Sequence, residues 1–141
     1  MRHKERPLKE FLDLPSGIIA LNMYLVNHNY KPIKNKYLQF LGQHEISTRT
    51  DLISRKEMCI LMRNLKIKHK RFIKLQKPIT LKDIPLSPCK DYLLKLEGDY
   101  YLYMEHNTYY ALYDMRQELV IQICEIKSKM SRRKIKRKLD L

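Results

Sequence analysis

An α+β domain is the fold this sequence predicts, and three observations predict it. Apolar residues recur at helical spacing in the first half of the chain, the stretch from residue 91 onward alternates with a period of two, and turn residues separate the alternating runs. Helical patterns that come in a block before the strand patterns place helices against an antiparallel sheet rather than around a parallel one. The expected architecture is N-terminal helices packed on a C-terminal antiparallel β-meander, followed by a basic C-terminal helix or tail. The chain has 141 residues, one domain by length, and a domain of this size buries enough surface to need neither disulfide nor metal. Residues 1–126 are expected to form that domain, with residues 127–141 as the basic tail.

The first element is a buried helix over residues 14–26, where LPSGIIALNMYLV is apolar almost all round and Pro15 and Ser16 mark its start. A shorter helix is expected over residues 34–41, where Tyr37, Leu38, Phe40 and Leu41 share a face and Gly42 supplies the stop. Residues 34–52, with Gly42 in the turn, can also be drawn as a helix-turn-helix. Ser54 and Glu57 form an S-x-x-E capping box, which opens a third helix running to Asn64. From Leu65 the period changes to two. Leu65, Ile67, Ile73 and Leu75 fall on one side, and Lys66, Lys68, Lys70 and Lys74 on the other, as on a strand with a lysine face. Pro78, Pro85 and Pro88 then punctuate a connection that has room for one helical turn at most.

Three or four strands are expected next, from YLLKL, YYLYME, YYALYD and ELVIQICEI, with turns at Glu97-Gly98-Asp99, His106-Asn107 and residues 115–117. The last strand opposes Leu119, Ile121 and Ile123 with Val120, Cys124 and Ile126. Apolar on both faces, it belongs in the interior of the sheet.

Composition excludes several functional classes. The longest apolar run, residues 18–26, is too short to cross a bilayer and holds Asn22, so no membrane span is expected. The charged residues 1–7 and the amphipathic residues 8–14 do not look like a secretory leader, so an intracellular location is expected, cytoplasmic or, in a eukaryotic or viral setting, nuclear. Cys59, Cys89 and Cys124 are odd in number and far apart, which fits small core residues rather than a disulfide framework. His3, His28, His44, His69 and His106 are equally dispersed. With no His or Cys pair at a ligand spacing, neither a metal nor another cofactor is expected.

Charge is the strongest functional signal. The chain carries a formal net charge of +14, and it is segregated: net +12 over residues 1–82, −5 over 83–126 and +7 over 127–141. Between Met58 and Lys82 only Glu-free and Asp-free sequence follows, with Arg63, Lys66, Lys68, Lys70, Arg71, Lys74, Lys77 and Lys82 present. The tail adds Lys127, Lys129, Arg132, Arg133, Lys134, Lys136, Arg137 and Lys138. Alternate lysines on an extended strand stand roughly 6.6 Å apart, close to the repeat of phosphates along a nucleic-acid strand. Two acid-poor basic blocks therefore point to DNA or RNA held through its backbone. No apolar face with aromatic anchors accompanies the tail, which argues against a membrane surface. The RRKIKRK run also has the composition of a nuclear localisation signal.

Seven tyrosines lie between Tyr92 and Tyr113. Exposed rings on a sheet stack bases, but tyrosine is also a favoured strand residue that covers half-buried sheet. The net negative charge of this segment argues for the second role, or for a surface that meets a basic protein partner.

Two catalytic patterns are also present. Asp114, the apolar strand that follows it, and Glu125-Ile126-Lys127 resemble the core of the PD-(D/E)xK nucleases. That resemblance implies a Mg²⁺ held by Asp114 and Glu125, with Lys127 steadying phosphoryl charge. The run LEGDYYLYMEHNTYYALYDMRQELVIQICEIKSK is similar in layout to the sheet of RelE-like ribosome-dependent RNases, although Tyr110 stands where that family carries an arginine. The sequence as a whole points instead to a non-catalytic nucleic-acid-binding accessory or regulatory protein. A metal-dependent nuclease and a protein-interaction or inhibitor module are the alternatives.

Overall fold

The computed structural model describes residues 1–4, 14–33, 54–98 and 100–127. The expected helix at 34–41, the helix-turn-helix at 34–52 and the basic tail after Lys127 lie outside these residues. Strand β1 (Arg2–Lys4) is followed by helices α1 (Ser16–Asn27) and α2 (Arg55–Asn64). Strand β2 (Ile73–Thr80), a 3₁₀ turn (Leu81–Asp83) and strands β3 (Asp91–Leu96), β4 (Tyr100–Glu105), β5 (Thr108–Tyr110) and β6 (Leu119–Ile126) complete the described chain. The fold is α+β, built on a six-stranded mixed sheet in the order β1-β5-β4-β3-β6-β2.

Helix α1 begins at Ser16, as its sequence predicts, and buries Ile18, Leu21, Met23, Tyr24 and Leu25. Its hydroxyl accepts a hydrogen bond from the Tyr101 backbone at 3.1 Å, which ties the helix start to β4. Asn22, the one polar residue in the apolar run, is fully buried. Its side chain accepts from the Ile33 N–H at 2.6 Å and donates to the Ile33 carbonyl at 3.3 Å, so it holds the returning chain as a strand neighbour would. Helix α2 has the predicted capping box, with Glu57 N–H donating to Ser54 Oγ and Ser54 N–H to the Glu57 carboxylate.

Beyond α2 the structure corrects the sequence reading. The alternation at residues 65–68 is not a strand but the end of a helix. Lys66 adopts φ 61°, its N–H bonds to the Arg63 carbonyl and the Ile67 N–H to the Met62 carbonyl, the two bonds of a Schellman motif. Leu65 and Ile67 are buried because that motif folds them back onto Met62. The strand proper starts only at Ile73, and the inward residue there is Phe72, leaving Ile73 61% exposed. Between Lys74 and Ile79 the register against β6 shifts, so residues 75–78, including Lys77 and Pro78, bulge from the sheet edge.

The strands of the second half form, but not as a simple meander. β3, β4 and β5 follow one another antiparallel, whereas β6 returns to pair with β3 on one side and β2 on the other. β1 adds to β5 in parallel. The two-sided apolar pattern of β6 thus has the expected reason, neighbours on both edges and cover on both faces. A bulge where Lys95 and Leu96 face Gln122 and Val120 turns Val120 to the opposite face from Cys124 and Ile126. One face packs under α1 and α2, with Leu93, Tyr101, Tyr103, Cys124 and Ile126. The other is covered by the segments around Leu81, Ile84, Ala111 and Met115. Five of the seven sheet-region tyrosines, Tyr92, Tyr101, Tyr103, Tyr109 and Tyr110, are buried in these two layers. They are core residues, so they present no platform for stacking bases. No helix among the described residues is long and apolar enough to cross a membrane.

Candidate nucleic-acid interface

The end of the sheet where β3 begins and β6 ends gathers the charged residues. Here residues 68–70 run alongside the last residues of β6, with His69 bridged to Ile126. Lys70 N–H donates to the Glu125 carbonyl and Lys127 N–H to the Lys68 carbonyl, both at 2.8 Å. The first basic block and the start of the second are therefore joined by backbone hydrogen bonds. Arg63, Lys66, Lys68, Lys70, Arg71, Lys74, Lys77 and Lys127 are all exposed. The regular ladder of lysines expected from a strand is absent, because the chain turns at Lys66 and bulges after Lys74. Lys68, Lys70 and Lys127 lie at one end of the sheet and Lys74 and Lys77 on its edge strand β2, whereas Arg63 and Lys66 belong to the end of α2. Lys129, Arg132, Arg133, Lys134, Lys136, Arg137 and Lys138 lie outside the described residues.

A cleft of about 490 Å³ opens at this end, lined by Lys70, Cys89, Lys90, Asp91, His106, Glu125, Ile126 and Lys127. Three lysines face two carboxylates across it. Glu125 is ion-paired to Lys90 at 3.0 Å and to Lys70 at 3.4 Å, and Lys90 first, then Lys70, holds its carboxyl below the usual range. Sequence reasoning passed over Lys90 because it stands within the acidic segment. The expectation that all three cysteines are core residues also fails at Cys89, which is exposed on the wall of this cleft; Cys124 alone is fully buried.

The carboxylates of the nuclease-like pattern are not brought together. Asp114 lies beyond β5, where its carboxylate accepts from the Tyr109 hydroxyl at 3.0 Å and pairs with Arg116 at 2.6 Å. Arg116 keeps that carboxyl well below the usual carboxylate range. Glu125 is on β6, with β3 and β4 between it and β5, and its own partners are Lys70 and Lys90. The arrangement that the nuclease resemblance implies, Asp114 and Glu125 on one ion with Lys127 beside them, is not formed by these side chains.

A different group of ionisable residues does converge, immediately behind the cleft. Asp91 and Glu105 are directly opposite one another on β3 and β4, so their carboxylates share a face, and α1 ends above them at His28. His28 Nε2 lies 3.0 Å from Glu105 Oε1 and 3.6 Å from Asp91 Oδ2, while His106 Nε2 lies 3.4 Å from Asp91 Oδ1. Asp91 is 5% exposed. Glu105 also accepts from the Tyr103 hydroxyl at 3.1 Å and from Asn27 Nδ2 at 3.2 Å. The hydrogen bonds to Asp91 and Glu105 raise the His28 pKa from 6.5 to about 9, and His28 in turn lowers that of Glu105. Burial pushes the Tyr103 phenol far above its usual value. Dispersed histidines and carboxylates hid this cluster: its members come from a helix end, two strands and a turn, and spacing along the chain does not measure distance in a sheet.

No protein-family model matches this chain, and neither the curated proteins nor the solved structures compared with it include a match.

Proposed function

We propose that this protein is a nucleic-acid-binding accessory or regulatory factor that holds the sugar–phosphate backbone and does no chemistry on it. One contact surface consists of Arg63, Lys66, Lys68, Lys70, Arg71, Lys74 and Lys77, and the basic residues from Lys127 to Lys138 are a second. One observation carries the reading. The first residue of the second basic block, Lys127, bonds to Lys68 of the first, so Lys127 joins Lys68 and Lys70 at one end of the sheet. Among the described residues of this group only Lys70 is ion-paired, and its partner Glu125 is shared with Lys90. Solvated lysines scattered for solubility have no reason to converge in this way.

Each phosphate contact adds about −0.9 to the slope of log affinity against log salt on duplex DNA. With six contacts, raising salt from 50 to 200 mM weakens binding roughly a thousandfold. Fluorescence anisotropy with labelled DNA and RNA across that range checks this. The Lys66→Gln, Lys68→Gln, Lys70→Gln triple variant is expected to bind more weakly and to lose about three from the slope. Binding that ignores salt, or a slope unchanged in the triple variant, removes the proposal.

A further inference from the structure

His28, Asp91 and Glu105 form a donor set that the backbone reading does not use. We infer that these three residues bind one divalent transition-metal ion of the zinc or manganese class. Three observations carry the inference, all independent of nucleic-acid binding.

The first is geometry. The donor atoms of His28, Asp91 and Glu105 all lie within 4.8 Å of one another. A tetrahedral ion with ligands at ~2.1 Å holds its donors ~3.4 Å apart, and the His28 Nε2 distances of 3.0 Å to Glu105 and 3.6 Å to Asp91 bracket that value. The set requires no rearrangement of the backbone: the cross-strand pairing of Asp91 with Glu105 fixes the two carboxylates, and the C-cap of α1 fixes His28. The second is support behind the ligands. Tyr103 and Asn27 each donate to a Glu105 oxygen, as outer partners do that orient a ligating carboxylate. The third is access. Asp91 and His106 line both the cluster and the open cleft, so an ion has a path from solvent to a carboxylate that is itself 5% exposed.

Ligand chemistry chooses the ion. One imidazole with two carboxylates suits Zn²⁺ or Mn²⁺, whereas Mg²⁺ prefers oxygen donors alone and retains its waters. The competing arrangement is an imidazolium that merely bridges two carboxylates.

Isothermal titration of the full chain with ZnCl₂, MnCl₂ and MgCl₂ decides between them, with Co²⁺ absorption as an optical readout of the coordination geometry. The expected result is one equivalent of Zn²⁺ or Mn²⁺, bound at least tenfold more weakly by His28→Gln and by Glu105→Gln, and roughly tenfold more weakly by Tyr103→Phe. Should His28→Gln fail to fold, Glu105→Gln and Tyr103→Phe carry the test. No saturable binding, binding unchanged in Glu105→Gln, or Mg²⁺ bound as tightly as Zn²⁺ overturns the inference.

Discussion

Glu125 is the residue on which the charge of the cleft turns. It occupies two lysines at once, so Glu125→Gln releases both Lys70 and Lys90 toward a phosphate backbone. One further contact at 0.1 M salt tightens binding up to about eightfold, measured by anisotropy beside the native protein. The same substitution has a pH signature. The folded carboxyl titrates below its ordinary 4.5 because of Lys90 and Lys70. A group depressed in this way stabilises the fold above its unfolded pKa, and the contribution is lost as pH falls through the folded value. The native protein is therefore expected to exceed Glu125→Gln in thermal stability at neutral pH, with the two curves converging as pH falls below the ordinary 4.5 and through the lowered value of the folded carboxyl. Melting curves from pH 7 downward check this; a gap that widens in acid contradicts it. Glu125 was legible in the sequence only as the glutamate of an E-x-K pattern. Its partners were not, because Lys70 and Lys90 reach it across the sheet.

At the scale of elements, the most legible features are those determined by neighbours in sequence. The S-x-x-E box placed the start of α2 correctly, since both hydrogen bonds close within four residues. Removing one of them in Ser54→Ala is expected to cost about 1 kcal/mol, read as a shift of the urea midpoint without a change in slope. Asn22 tests the opposite case. In sequence it is only a polar interruption of an apolar helix, whereas in the fold it serves the N–H and the carbonyl of Ile33. Asn22→Ala leaves two buried backbone groups without partners and is expected to cost about 2–5 kcal/mol, more than the exposed cap. The reverse order in denaturant melts would show that the 28–33 return is not held by this residue. The false strand at 65–68 has an equally local explanation: a Schellman motif buries Leu65 and Ile67 and exposes Lys66, and over four residues this is the same pattern as alternation in a strand.

For the whole molecule, the pairing of the strands decides where charge collects. Because β6 returns between β3 and β2, its C-terminal end delivers Lys127 to the segment that carries Lys68 and Lys70; a plain meander would have left it beside β5. The tail beginning there is expected to add its cations as the second contact surface. Truncation after Lys127 removes seven basic residues and is expected to reduce the salt slope while leaving the thermal midpoint within a few degrees. An unchanged slope assigns binding to the described surface alone. The amino-acid sequence by itself determined the α+β class, helix α1, the cap of α2, the interior position of β6 and the existence of two basic blocks, because periodicity, capping and charge are local or additive properties. Only the tertiary structure decided that five of the sheet-region tyrosines are core, that Asp114 and Glu125 have separate partners, that Lys127 joins the segment of Lys68 and Lys70, and that His28, Asp91 and Glu105 converge. Each of these depends on which strands become neighbours, and strand pairing is set by burial of the whole sheet rather than by any one segment of it.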